Sequence, residues 1–333
     1  MESLLSYHRY RLPFRAPVRT GHGVWSEREG LYLRSESESG AVRFAEVAPV
    51  PGFSRESVDE DEALVATLGD RLDPRQVDLL PPHAAALRHG LKRLLGEAYA
   101  PKAKSLGVAA LLPAGKAALA LLPEKAEIGY RIFKWKVGVG DPADERGILA
   151  DLAALLPEGG SFRLDANGVW DPRTAERWIA YASDFPVEHI EQPLPAGDPK
   201  MDERLLGLAG DYPTPLALDE SLVGDADIER WLGQGWPGVY VLKPSLLGAL
   251  PEALARLSKA KAPVVFSSAL ETGLGAKAAL EAAFSWDGPP KALGFGVWPL
   301  FEDPRFDGPH AGPFLSGEEV RGTPDDTLWT ATT

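Results

Sequence analysis

From about residue 107 the chain repeats one unit: a short apolar run, an amphipathic stretch, then another short apolar run. Eight such runs can be placed, at residues 108–112, 132–137, 162–165, 189–191, 216–219, 239–243, 264–267 and 293–296. Helical periodicity fills intervals between them at 144–156, 172–181, 201–208, 225–234 and 250–259. Strands alternating with helices build a parallel sheet, because each crossover helix returns the chain to the same end of it. Eight repeats predict an α/β fold of the (β/α)-barrel kind, a modified TIM barrel. The first hundred residues break this rhythm. They read as strands at 7–12, 31–34 and 41–47, stopped by Pro49 and Pro51, followed by helices at 57–68 and 83–95. The expected organisation is an α+β capping domain over residues 1–100, joined by the Gly- and Pro-rich tail 299–333, and a barrel over 101–298.

Composition narrows what such a chain can do. Its formal net charge is −13, with 48 acids against 35 bases and no run of Lys and Arg, which argues against a nucleic-acid partner. With no cysteine, thiolate metal sites, cysteine nucleophiles and disulfides are excluded. The most apolar stretch, 106–123, is interrupted by Pro113 and Lys116 and does not read as a membrane span. The first fifteen residues lack the apolar core of a signal peptide. The expectation is a cytoplasmic protein acting on a small molecule, with neither membrane nor nucleic acid as a partner.

Five consecutive runs end at or near a charged residue: Lys136, Asp165, Glu191, Asp219 and Lys243, with Ser267 on the next. These positions lie between 24 and 29 residues apart, about one barrel unit each. Side chains two apart on a strand share a face, so Lys134 and Lys136 point together, as do Arg163 and Asp165, with Asn167 in phase beyond them. Residues at the C-terminal ends of barrel strands converge on one mouth. Three carboxylates there repel one another by about 4 kcal/mol per pair at 4 Å and an effective dielectric near 20. A hard divalent cation relieves that repulsion. All-oxygen ligands predict Mg²⁺, with Mn²⁺ as its substitute, held by Asp165, Glu191 and Asp219. A lysine beside a metal and a second lysine loses basicity, and a fall of about three pKa units corresponds to roughly 4 kcal/mol. Lys136 on the second strand and Lys243 on the sixth are four strands apart in a ring of eight, which places them on opposite sides of the mouth.

Each residue alone has a plainer reading. A Lys-x-Lys pair is usually a solvated edge, an Asp at a strand end is usually a helix cap, and Lys243 before Pro244 could snorkel at the rim. Five such residues in register argue against those readings jointly. His189 shares parity with Glu191 but reads as a core histidine.

Taken in order, 134–136 (Lys-Trp-Lys), 163–167 (Arg-Leu-Asp-Ala-Asn), 190–193 (Ile-Glu-Gln-Pro), 218–221 (Leu-Asp-Glu-Ser) and 242–244 (Leu-Lys-Pro) resemble the enolase superfamily, muconate-lactonizing subgroup, and within it most closely the 2-succinylbenzoate synthase family. Residues 46–54, 267–275 and 294–296 resemble that family's capping loop and its seventh and eighth strands, although Ala45 stands where many relatives carry glycine. The resemblance implies Mg²⁺-dependent dehydration of 2-succinyl-6-hydroxy-2,4-cyclohexadiene-1-carboxylate on the route to menaquinone or phylloquinone. In that scheme Lys136 is the base, Lys134 tunes it and contacts the substrate carboxylate, and Lys243 stabilises the intermediate from the opposite face. Arg163, Ser267, Ser268 and the backbone near Gly294 position substrate carboxylates, while loops at Arg19–Gly23 and Phe53 exclude water. Asn167, Glu220 and Glu271 support the site from behind. The same lysine pair equally serves an N-acylamino acid racemase or a dipeptide epimerase. A barrel that binds metal and ligand without turnover is a third reading.

Overall fold

The computed structural model describes residues 3–20, 23–309, 312–322 and 325–332. Strands β1 (Ser3–Thr20) and β2 (Gly23–Ser37) pair antiparallel and run well past the apolar runs that announce them. Their extra length is stitched by cross-strand ion pairs such as Arg11 with Glu27 and Glu29, which a hydrophobic pattern does not register. β3 (Val42–Val47) adds to β2 and the two-residue β4 (Arg71–Leu72) to β1, giving the order β3-β2-β1-β4. Leu31, Leu33 and Val47 from this sheet form a core with Val65 of α1 (Val58–Thr67), Val77 of α2 (Pro74–Leu79) and Leu87 and Leu91 of α3 (Ala85–Leu94). Helix α1 starts where Ser57 and Glu60 satisfy each other's backbone N–H in a capping box.

After β5 (Ser105–Gly107), seven strands lie in sequence order in one parallel sheet: β6 (Ala110–Leu112), β7 (Ile132–Lys136), β8 (Ser161–Asp165), β9 (Val187–Glu191), β10 (Leu216–Leu218), β11 (Val239–Leu242) and β12 (Val264–Phe266). Helices α4 (Ala117–Ile128), α5 (Pro142–Ala154), α6 (Pro172–Ala182), α7 (Pro199–Asp211), α8 (Asp225–Gly233) and α9 (Leu250–Lys259) connect them. Three of these helices open on Asp-Pro, at Asp141, Asp171 and Asp198. The aspartate caps exposed N–H groups, and proline at the first helical position has no N–H to leave unpaired. Helix α6 turns Ala175, Trp178, Ile179 and Ala182, one helical stripe, toward the sheet.

The expected eighth strand is not a regular strand. Leu293 and Gly294 make single parallel bridges to Val108 and Ser267, and these close the barrel. Backbones approach tightly there: a Cβ on Gly294 would lie 2.7 Å from Ser267 Oγ, and one on Gly296 would collide with Ala109 O. Glycine permits the closure but offers no side chains to sustain a strand. Past α10 (Gly273–Phe284), the tail touches both parts. β13 (Phe314–Ser316) pairs with β5, α11 (Gly317–Arg321) lies beside α10, and Trp329 of α12 (Asp325–Thr332) packs on His8 and Phe44. Among the described residues no helix is long and apolar enough to cross a membrane. The apolar stretch at 106–123 is divided between β5, β6 and α4.

Candidate active site

On β7 the parity holds: Phe133 and Trp135 are fully buried in the core, while Lys134 and Lys136 face the other way, into the barrel. At the C-terminal ends of the strands lies a cavity of about 270 Å³. Lys134, Lys136, Asp165, Asp219 and Lys243 line it together with Asn167, Ser267, Ser268 and Gly294. Leu111, Leu112, Leu270 and Val297 supply its apolar walls.

The charges at the cavity floor are tightly paired. Lys134 Nζ sits 2.9 Å from Asp165 Oδ2 and donates to Glu191 Oε1 at 2.5 Å. Lys243 donates to Asp219 Oδ1, and its ammonium lies 4.3 Å from the centre of the Phe53 ring. Burial alone would lower the basicity of Lys134, but Asp165, Glu191 and Asp219 outweigh it and hold the ammonium well above its ordinary range. Glu191 is pushed well up, first by burial and then by the like charge of Asp165. Asp219 is held down: burial opposes ionisation, but Lys243 and Lys134 overcome it. The three carboxylates are thus balanced in part by two ammoniums, Lys134 and Lys243.

This balance bears on whether the residues fit a metal. Among the described residues no set of three or more His, Cys, Asp and Glu side chains is already gathered as a metal cage. The Lys134 ammonium bridges two of the three candidate ligands instead. That ammonium supplies positive charge between Asp165 and Glu191, where the pair of carboxylates favours a cation. The donor set, all hard oxygen, matches Mg²⁺ or Mn²⁺. Charge and donor chemistry both fit.

Residues 117–310 match the family model described as Enolase C-terminal domain-like, more than half of the chain. The chain belongs to the enolase superfamily. It is 39% identical to an o-succinylbenzoate synthase of Thermosynechococcus vestitus over 303 residues, 86% of this chain and 90% of that one. The crystal structure of o-succinylbenzoate synthase from Thermosynechococcus elongatus BP-1, complexed with Mg in the active site, superposes with a TM-score of 0.81 at 35% identity, covering 98% of this chain and 99% of that one. A hydrophobic dipeptide epimerase of Roseobacter litoralis is 29% identical over 78% of this chain and 80% of its own length.

Within this superfamily frame, several neighbours hold the charged residues in place. Gln192, fully buried, accepts from the N–H groups of Asp219 and Ser221 and donates to Leu194 O and Ser221 Oγ, so it ties the end of β9 to the end of β10. Asn167 donates its N–H to Asp165 Oδ1 and its amide to Glu220 Oε1. Burial, then Asp219 and Asp165, push Glu220 up to about 7. Glu145 of α5 accepts three consecutive N–H groups, from Gly138, Val139 and Gly140, and so shapes the turn that follows Lys136. Asn167, Gln192 and Leu270 adopt left-handed φ of 46°, 38° and 60°, a cost usually met where a site demands it. Neither strand parity nor spacing marks Gln192 or Glu145 in the sequence. Gln192 sits inside a recognised motif, but only the fold shows that it reaches across to the next strand.

Other expectations need correction. Arg163 does not reach the cavity. It is 1% exposed, donates to Glu188 Oε2 at 2.7 Å and Ala292 O at 2.8 Å, and shares Glu188 with Lys291. Despite the opposing effect of burial, these cations hold Glu188 down at about 2. Arg163 shares the face of Asp165 but lies two residues earlier on the strand, roughly 7 Å deeper in the barrel. Ser268 lines the cavity, yet its hydroxyl already donates to Glu271 Oε2 and accepts from Leu270 N. Gly294 gives its N–H to Phe266 O, which leaves none for a substrate. Ser267 is the freer hydroxyl, with one long contact of 3.4 Å to Gly294 O. His189 is fully buried below the cavity, and burial and Arg163 keep it neutral. Phe53 acts on Lys243. The backbone of Arg19 lies in β1, its side chain is outside the described residues, and so are Gly21 and His22.

Glu271 supports the Ser268 loop and not the carboxylate cluster. Burial pushes it up to about 7 from an ordinary 4.5. A carboxyl raised on folding favours the native state while protonated, so this contribution is full below about 4.5 and lost as pH rises through 7. The loss amounts to about 3 kcal/mol. Glu271→Gln, measured by denaturant unfolding at pH 4.5 and 8, is expected to remove most of that pH dependence. An unchanged slope would contradict the assignment.

Proposed function

We propose that this enzyme dehydrates 2-succinyl-6-hydroxy-2,4-cyclohexadiene-1-carboxylate to 2-succinylbenzoate, a step toward menaquinone or phylloquinone. The observation that carries the proposal is the placement of Lys136 and Lys243, four strands apart, in one cavity beside three carboxylates, in a chain 39% identical to an o-succinylbenzoate synthase. Lys136 Nζ takes the proton from the ring carbon that bears the carboxylate. The electron pair of that C–H bond moves toward the carboxylate, then returns to form the ring double bond as the C–O bond breaks. The Lys136 ammonium gives its proton to the departing hydroxyl, which leaves as water, and the ring becomes aromatic. Lys243, steadied on Phe53, presents a cation to the opposite ring face. Lys134 stays charged and contacts the substrate carboxylate. Ser267 supplies a hydroxyl donor, and Leu111, Leu112, Leu270 and Val297 pack the ring and keep water out.

Asp165, Glu191 and Asp219 are the residues that would hold Mg²⁺ or Mn²⁺. Bound there, the cation supplies positive charge where the substrate carboxylate gains negative charge.

The test is loss of cyclohexadiene absorbance on incubation with purified protein and Mg²⁺. Substrate unchanged at the rate of the buffer blank would end the proposal. The 29% identity to a dipeptide epimerase keeps proton exchange without dehydration as the second reading. Deuterium incorporation at the α-carbon of N-succinyl amino acids or of dipeptides, without turnover of the cyclohexadiene, would select it.

A further inference from the structure

We propose that Arg28 is a positioning residue of this site: from the capping sheet it sets the cavity wall through Leu270, so that its loss weakens substrate binding and spares chemistry. The choice of assay substrate rests on the dehydration reading above.

Arg28 lies on β2 and is 2% exposed. Its guanidinium ends among backbone carbonyls of two mouth loops. Nη1 donates to Pro49 O at 2.7 Å and to Glu29 O at 3.2 Å, and Nη2 donates to Ala48 O. From the other side, Nε donates to Leu270 O at 3.1 Å and Nη2 to Ala269 O at 3.4 Å. A planar fork of five N–H donors suits such a junction, where a point charge would not. Of the two loops it joins, the one at 269–270 forms part of the cavity, with residue 270 itself a wall.

Leu270 needs that support. Its φ of 60° is one that a leucine rarely adopts. Its N–H is taken by Ser268 Oγ at 2.9 Å and its carbonyl by Arg28, so the peptide is fixed on both sides and the side chain is aimed into the cavity. Just beyond, Glu46 of β3 accepts from Thr272 N, Thr272 Oγ1 and Gly275 N at 3.0, 2.6 and 2.8 Å. The capping sheet therefore grips the segment from Ala269 to Gly275 at both ends. Arg28 itself does not line the cavity, so the effect belongs in KM.

Arg28→Lys keeps the charge but cannot join both loops. KM is expected to rise about tenfold with kcat within about threefold of wild type. Leu270→Gly is expected to raise KM by a similar factor of about ten, because it removes the wall side chain. Glycine takes a φ of 60° unaided and leaves nothing for Arg28 to aim, so the double variant should show the KM of Leu270→Gly alone. Increases that multiply in the double variant, a kcat that falls in step with the rise in KM, or an unchanged KM in either single variant would each overturn the inference. If Arg28→Lys does not fold, Leu270→Gly still decides, since an unchanged KM there is enough to reject it. Wild type is assayed alongside: an inactive wild type rejects the dehydration reading, whereas an active wild type with unaffected variants rejects only the role of Arg28.

Discussion

Lys136→Ala is expected to leave a folded protein whose kcat is lower by about 10⁴-fold, the upper end of what one acid–base group contributes. One side chain serves both halves of the proposed reaction, removing the carbon-bound proton and then protonating the leaving hydroxyl. Truncating it therefore disables two steps, and a factor of about 10⁴ corresponds to about 5.5 kcal/mol of barrier. Folding should survive because Lys136 faces the cavity, while Phe133 and Trp135 carry the buried face of β7. Circular dichroism and thermal unfolding check the fold, and absorbance assays give kcat. A variant that turns over within a factor of ten of wild type would remove Lys136 from the mechanism.

Stripping divalent cations with a chelator should abolish turnover, and Mg²⁺ should restore it. Binding to the native state alone stabilises it by about 2.7 kcal/mol at a hundred times Kd. For a chain of 333 residues that is roughly 4 °C in Tm. Glu191→Gln is the informative variant. Burial and the like charge of Asp165 push Glu191 well above the ordinary carboxylate range, and glutamine keeps its shape without the charge. The metal-free variant should therefore match metal-free wild type in Tm, lose the Mg²⁺-dependent rise, and show activity lower by about 10³-fold or more. A full Mg²⁺ shift retained in Glu191→Gln would exclude that carboxylate as a ligand.

Much of the site was legible because strand geometry is periodic. Alternation on β7 set Lys134 and Lys136 apart from Phe133 and Trp135, and the spacing of one barrel unit aligned Asp165, Glu191, Asp219 and Lys243. The same periodicity misplaced Arg163. Parity identifies a face but not a depth, and two residues along a strand separate a cavity wall from a buried ion pair with Glu188. The closing segment at Leu293 and Gly294 reads as a strand in the sequence, because apolar runs do not reveal how closely two backbones meet. Arg28 and Glu46 carried no signal that links them to residues 269–275. Their partners in that segment are mainly backbone atoms, more than two hundred positions away, and backbone atoms leave no mark in a side-chain pattern.

By itself the sequence determined the class of architecture, the order of the strands and the chemical types that meet at their ends. Those follow from local periodicity and from the rule that parallel strands present their C-terminal ends together. The tertiary structure alone decided which ammonium bridges which carboxylates, which hydroxyls remain free to donate, and that an arginine of the capping sheet holds a wall of the cavity. Those outcomes depend on distances of a few ångströms and on the loss of water around buried charges, and neither exists until the chain has closed on itself.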